Sequence, residues 1–101
     1  MHEHLFFFLV RGMIMEIVCK PIDVIAVFNV ECMPVPYKFK CTERGCRNAE
    51  VKVDRIIYSE KQHIAGQNSY IYECVSTVGG VQTRYQLKYV LAEAKWLLYK
   101  I

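Results

Sequence analysis

Cys41 and Cys46 are the pair in this chain with the spacing to do chemistry, because they flank the short polar stretch Thr42-Glu43-Arg44-Gly45. Two thiolates a few residues apart on a loop can converge on a tetrahedral zinc ion, but a structural site needs four ligands. Cys19, Cys32, Cys74 and His63 are the remaining candidates, and none forms a second close pair. Cys41 and Cys46 are thus weak metal candidates, and no cofactor is expected. The competing reading is a disulfide across a hairpin loop, since facing positions of antiparallel strands bring β-carbons within bonding reach.

His63 is the single histidine beyond the N-terminal stretch. As a general base it would need a nucleophile and an orienting partner. Ser59, Ser69 and Cys74 are present, but no nucleophile elbow surrounds them. The two aspartates are Asp23 and Asp54. Asp23 falls within an apolar run, where a carboxylate needs a donor, so a hydrogen bond to a turn amide or a lysine is the simpler role. No phosphate-binding glycine loop, dinucleotide fingerprint or HExxH occurs. The chain reads as a non-enzyme.

A basic strand face is the third candidate. Lys38, Lys40, Lys52, Arg84 and Lys88 fall at positions that alternation turns outward. Small barrels bind single-stranded nucleic acid with such a face, usually with exposed aromatic rings for base stacking. Alternation sends Tyr37, Phe39, Tyr85 and Tyr89 inward, leaving Tyr58, Tyr70, Tyr72 and Tyr99 as stacking candidates. Formal net charge is +3, from 13 basic and 10 acidic residues. So small an excess fits equally well with lysines that keep a β surface soluble and its edges unpaired.

The elements that must position these residues read as strands. Gly79-Gly80 separates a β-rich run over 70–78 from another over 81–89. A tight primed hairpin turn needs two central residues that tolerate positive φ. In the second run Val81, Thr83, Tyr85, Leu87 and Tyr89 share one face, the clearest half-buried strand in the chain. A turn over 91–94 leads to a closing strand over 95–101. Upstream, Pro21 opens a strand over 22–28 that is apolar on both faces and so reads as buried on both sides. A second strand over 35–41 turns Val35, Tyr37, Phe39 and Cys41 inward, with Pro34 and Pro36 marking an edge or a strand start. The run over 51–59 changes phase, with Val51 and Val53 on one face and Ile56 and Tyr58 on the other. Such a flip predicts a bend or bulge near Asp54-Arg55. Residues 60–68 read as an irregular polar stretch.

These readings give an all-β fold of six strands with at most one short helical turn. The predicted architecture is a small antiparallel barrel or strongly curved sheet, SH3-like or OB-like, with a two-layer sandwich second. Its 101 residues suit one domain, over 16–101, preceded by an extension over 1–15. That extension carries the apolar run Leu5 to Val10, far shorter than the ~20 residues a membrane-spanning helix needs. It reads either as an upstream start or as an extra pairing strand, and no membrane partner is expected. Five cysteines, an odd number in unlike contexts, point to reduced thiols in a cytoplasmic protein.

In the blocks Tyr85-Gln-Leu-Lys-Tyr, Lys95-Trp-Leu-Leu-Tyr and Lys20-Pro-Ile-Asp-Val-Ile-Ala-Val-Phe, the chain resembles small uncharacterised bacterial β-domain proteins. The resemblance runs from Ile17 to the end. It implies a compact β fold and a bacterial, cytosolic origin, and brings no catalytic or binding residue with it. The functional expectation is a β module that associates with a protein partner or with itself as a homodimer. Nucleic-acid binding is the alternative, and a cysteine-based metal or redox site comes after it.

Overall fold

The computed structural model describes residues 15–30, 32–41 and 50–101. They form seven strands: β1 (Ile17–Asn29), β2 (Cys32–Cys41), β3 (Glu50–Lys52), β4 (Arg55–Ile64), β5 (Gln67–Val78), β6 (Val81–Val90) and β7 (Lys95–Lys100). A 3-10 turn, η1 (Leu91–Glu93), is the single helical piece among the described residues. All pairings are antiparallel, in one sheet of order β3-β2-β1-β7-β6-β5-β4. The sheet curls into a half-barrel, as the strand pattern predicts. The described residues belong to this one sheet, whereas residues 1–14, with the apolar run Leu5 to Val10, lie outside them.

The predicted phase flip explains why there are seven strands and not six. The run after Glu50 breaks at Val53-Asp54. Its first part pairs with β2 and its second with β5, at the opposite end of the sheet order. Val53 donates its amide to the Tyr37 carbonyl (2.8 Å), and Asp54 donates to that of Val75 (3.0 Å). Two consecutive amides thus serve opposite margins of the sheet. The corner keeps Val51, Val53 and Ile56 all against the core despite their change of parity. A bulge between Ile56 and Tyr58 then turns Tyr58 outward, against the register that groups it with Ile56.

Three other readings are corrected. Residues 60–68 are not irregular: β4 and β5 pair to Ile64↔Gln67, across a turn in which Ala65 and Gly66 have φ of 53° and 77°. This hairpin end is polar, so it carries no apolar alternation. β1 begins before Pro21, at Ile17, with a register slip where Cys19 takes φ 47°. Pro21 pairs with β7 just before β1 meets β2 at Ile22↔Cys41. Nor is β1 buried on both faces. Ile22, Val24 and Ala26 pack inward, while Ile25 and Val27 stay exposed.

β2 is corrected in the same way. A bulge opposite Ile25/Ala26 makes Tyr37 the extra residue. Pro36 and Phe39 are both buried, so Tyr37 and Lys38 project outward together, and Val35 faces outward with Val27. Pro34 and Pro36 lie where β2 has no strand on its outer side among the described residues, because β3 reaches only Lys38. A missing N–H is tolerated there.

The core lies in the hollow of the curl. Leu87 is 0% exposed, and Ile22, Phe39, Val53, Tyr72, Cys74, Tyr85 and Trp96 surround it. Aromatic rings meet across the strands: Tyr89 and Trp96 at 4.8 Å, Tyr72 and Trp96 at 5.5 Å, Phe39 and Tyr85 at 5.5 Å. Offset contacts of this kind add stability beyond the area they bury. The Gly79-Gly80 turn has φ of 58° and 78°, as a primed hairpin turn requires. Leu87→Ala should lower unfolding free energy by about 3 kcal/mol, as a lower urea midpoint with an unchanged slope.

Candidate functional site

The five basic candidates do not form one surface. Lys38, Lys40 and Lys52 sit on β2 and β3, and Arg84 and Lys88 on β6, with β1 and β7 between. Three strand spacings separate β2 from β6, about 14 Å along the sheet. The first group is interleaved with acids. Lys38 pairs with Glu50 at 3.3 Å, Lys40 faces Glu50 on β3 and Asp23 on β1, and these residues line a shallow groove of about 220 Å³. Asp23 is thus an outward residue opposite a lysine, in an exposed position. On β6, Arg84 pairs with Glu73 at 2.9 Å, and Gln86 donates to the same carboxylate at 3.3 Å. Lys88 and Lys100 both lie over the Tyr99 ring, at 4.7 Å and 5.4 Å from its centroid.

The stacking candidates divide too. Tyr72 is buried, Tyr70 is half-buried and stacked on Tyr89, Tyr99 lies under the two lysines, and Tyr58 is exposed. Tyr37, placed inward by simple alternation, is among the exposed rings.

Cys41 is disulfide-bonded, which departs from the reading of five reduced thiols. Cys46 lies outside the described residues. Cys19 and Cys74 are free, the first exposed and the second buried. Among the described residues, no group of three or more His, Cys, Asp or Glu side chains could hold a metal ion. His63 Nδ1 lies 2.7 Å from Asn68 Oδ1, a cross-strand pair beside the turn. Asp54 accepts the Thr77 amide at 2.9 Å, a structural hydrogen bond between the corner and β5.

Polar groups inside the curl are tied to the corner. Ser76 Oγ donates to the Lys52 carbonyl at 2.6 Å, so the Tyr85 hydroxyl, 2.5 Å away, is the donor to Ser76. Tyr72 donates to the Pro34 carbonyl at 2.5 Å. Burial pushes both phenols above their ordinary range. For Tyr72 the neighbouring Tyr70, Cys74 and Tyr89 add to the effect, and for Tyr85 the nearby Cys74 and Asp54 do. Burial, with Glu73 nearby, pushes the Cys74 thiol up to about 12. A neutral thiol in that setting is a packing group and a poor nucleophile.

Two features escape alternation rules. One is an outer apolar strip on β1 and β2: Ile25 (57% exposed), Val27 (46%), Val35 and Tyr37 (53%). The Tyr37 bulge creates it by turning a ring outward, and the both-face apolar content of β1 is the signal that could have located it. The other is a mostly apolar cavity of about 300 Å³, lined by Phe39, Val51, Val78, Thr83, Tyr85, Leu98 and Ile101. No helix among the described residues is long and apolar enough to cross a membrane. No family model, curated protein or solved structure matches the chain.

Two outcomes follow from the buried groups. Ser76→Ala strands the Tyr85 hydroxyl and the Lys52 carbonyl and should cost about 1–3 kcal/mol in urea unfolding. Cys74, Tyr72 and Tyr85 hold their protons more tightly folded than unfolded. Their contribution is therefore complete below the ordinary values of these groups and is lost as pH rises past them. The urea midpoint should stay level from pH 7 to about 8.5 and fall above about pH 9.

Proposed function

We propose that this chain is a non-enzymatic association module that docks through the outer face of the β1–β2 hairpin, with a second copy of itself as partner. The observation that carries the reading is the strip Ile25, Val27, Val35 and Tyr37 on one face of one hairpin. Adjacent large apolar side chains exposed together mark interaction surfaces more than lone ones do. The Lys38–Glu50 pair and Asp23 opposite Lys40 border the strip. An apolar centre with a charged rim is the usual composition of a protein interface.

Docking by the face is favoured over adding a strand at the edge. Pro34 and Pro36 remove two donors from the open stretch of β2, and the Pro34 carbonyl already accepts from Tyr72. Charges of both signs in the rim suit a two-fold contact, where each lysine can meet the partner's carboxylate. A cytoplasmic setting belongs to the same proposal. It is supported by the free thiols of Cys19 and Cys74, with the disulfide at Cys41 on the other side.

Sedimentation velocity over a wide concentration range tests this. The chain should shift from monomer to dimer, and Ile25→Lys with Tyr37→Lys should hold it monomeric while changing stability by less than about 1 kcal/mol. A wild-type chain monomeric throughout, or a double variant that still dimerises, would count against the strip.

A second reading, single-stranded nucleic acid on the outer face of β6 and β7, is favoured by the convergence of Lys88 and Lys100 on Tyr99. Labelled oligonucleotide should then bind at low salt and release as salt rises, and Lys88→Glu should abolish retention. No retention at low salt would end this reading.

A further inference from the structure

The sheet treats its two margins differently. One ends in β3, three residues long, beside the stretch of β2 that carries Pro34 and Pro36. Short strands and prolines are the usual guards of an edge. The other ends in β4, ten residues long and without proline or glycine. Its pairing with β5 runs without a slip from Tyr58↔Glu73 to Ile64↔Gln67. Over 58–64 every residue but Gln62 is exposed.

The hairpin fixes which backbone groups this edge offers. Ile64 and Gln67 close a two-residue turn, so they form a hydrogen-bonded pair, and such pairs alternate along the ladder. Gln62, Glu60 and Tyr58 therefore bond to β5, whereas the N–H and C=O groups of Ser59, Lys61 and His63 point away from it. Among the described residues no strand lies on that side. The Lys61 side chain shares a face with Tyr70, its partner on β5, and Glu60 lies on the opposite face with Ile71.

Side chains decide what can fill the edge. Lys61 and Glu60 are exposed, and neither has an ion pair among the described residues. A second copy is a poor fit, because antiparallel copies of one strand pair about a residue that faces itself. Centred on Lys61 or Glu60, that pairing sets like charges opposite each other. Centred on Ser59 it runs into the bulge at Ile57, and centred beyond Lys61 it shortens toward the hairpin tip. A strand from a different protein is free of this constraint.

We propose that β4 is a strand-addition site, which takes an extended segment of a different protein with a carboxylate opposite Lys61. The backbone groups of Ser59, Lys61 and His63 supply the ladder, and the charge at Lys61 sets the register. The site lies at the other end of the sheet order from the β1–β2 strip and does not depend on it.

The probe is a short capped peptide of alternating valine and threonine with one glutamate at its centre, added to the full chain labelled with nitrogen-15. Binding should shift the amide resonances of Ser59, Lys61 and His63 and slow their hydrogen exchange. Replacing the peptide's glutamate with lysine should weaken binding about fivefold, and Lys61→Glu should reverse the preference. Methylating the peptide nitrogens that face β4 should abolish binding. No binding at millimolar peptide, shifts elsewhere on the sheet, or binding indifferent to charge would overturn the proposal. So would free-chain amides at Ser59, Lys61 and His63 as protected from exchange as those of Glu60 and Gln62, because the edge would then already be filled.

Discussion

The half-barrel depends on one bent run of chain. From Glu50 to Ile64 it belongs first to one margin of the sheet and then to the other, and Val53-Asp54 is where it crosses. Hydrogen bonds draw the margins together: the amides of Val53 and Asp54, the Ser76 hydroxyl on the Lys52 carbonyl, and the Tyr72 phenol on that of Pro34. Two of these donors are side chains that project into the hollow from β5. The core and the closure are therefore one system, because the residues that fill the interior also hold its wall. A buried polar group must find a partner, and here the partners are backbone carbonyls of β2 and β3.

Much of this was legible in the residues. Gly79-Gly80 marked its hairpin, the alternation of Tyr85, Leu87 and Tyr89 identified the inward face of β6, and the change of phase between Val53 and Ile56 located the bend. Each is a local rule that holds wherever one face is dry. Misreadings came where a single extra residue reset the count. The bulges at Tyr37 and Ile57 reverse which side chains point inward, and nothing in strict alternation announces them. The β4–β5 hairpin was missed for another reason: its far end is wet on both faces, so strand pairing persists without an apolar signature.

The candidate surfaces were less legible because they depend on strand order. Lys38 and Arg84 look equivalent as outward cations, yet two strands lie between their parent strands, and each has its own acid. No local pattern shows that the first strand will lie beside the last. The outer strip on β1 and β2 arises in the same way. β1 carries apolar residues on both sides, but the curl encloses only one of them.

That first-beside-last arrangement also governs the order of assembly during translation. β1 has β2 on one flank and β7 on the other. As the chain leaves the ribosome, the β1–β2 hairpin emerges with one flank open, and the strand that fills it, β7, is made only after β3 to β6. Until then the hairpin is a sheet fragment with unpaired backbone and little core beneath it. Topologies of this kind defer much of their stabilisation to the final contacts. The hairpin would then be exposed to wrong partners until β7 has emerged.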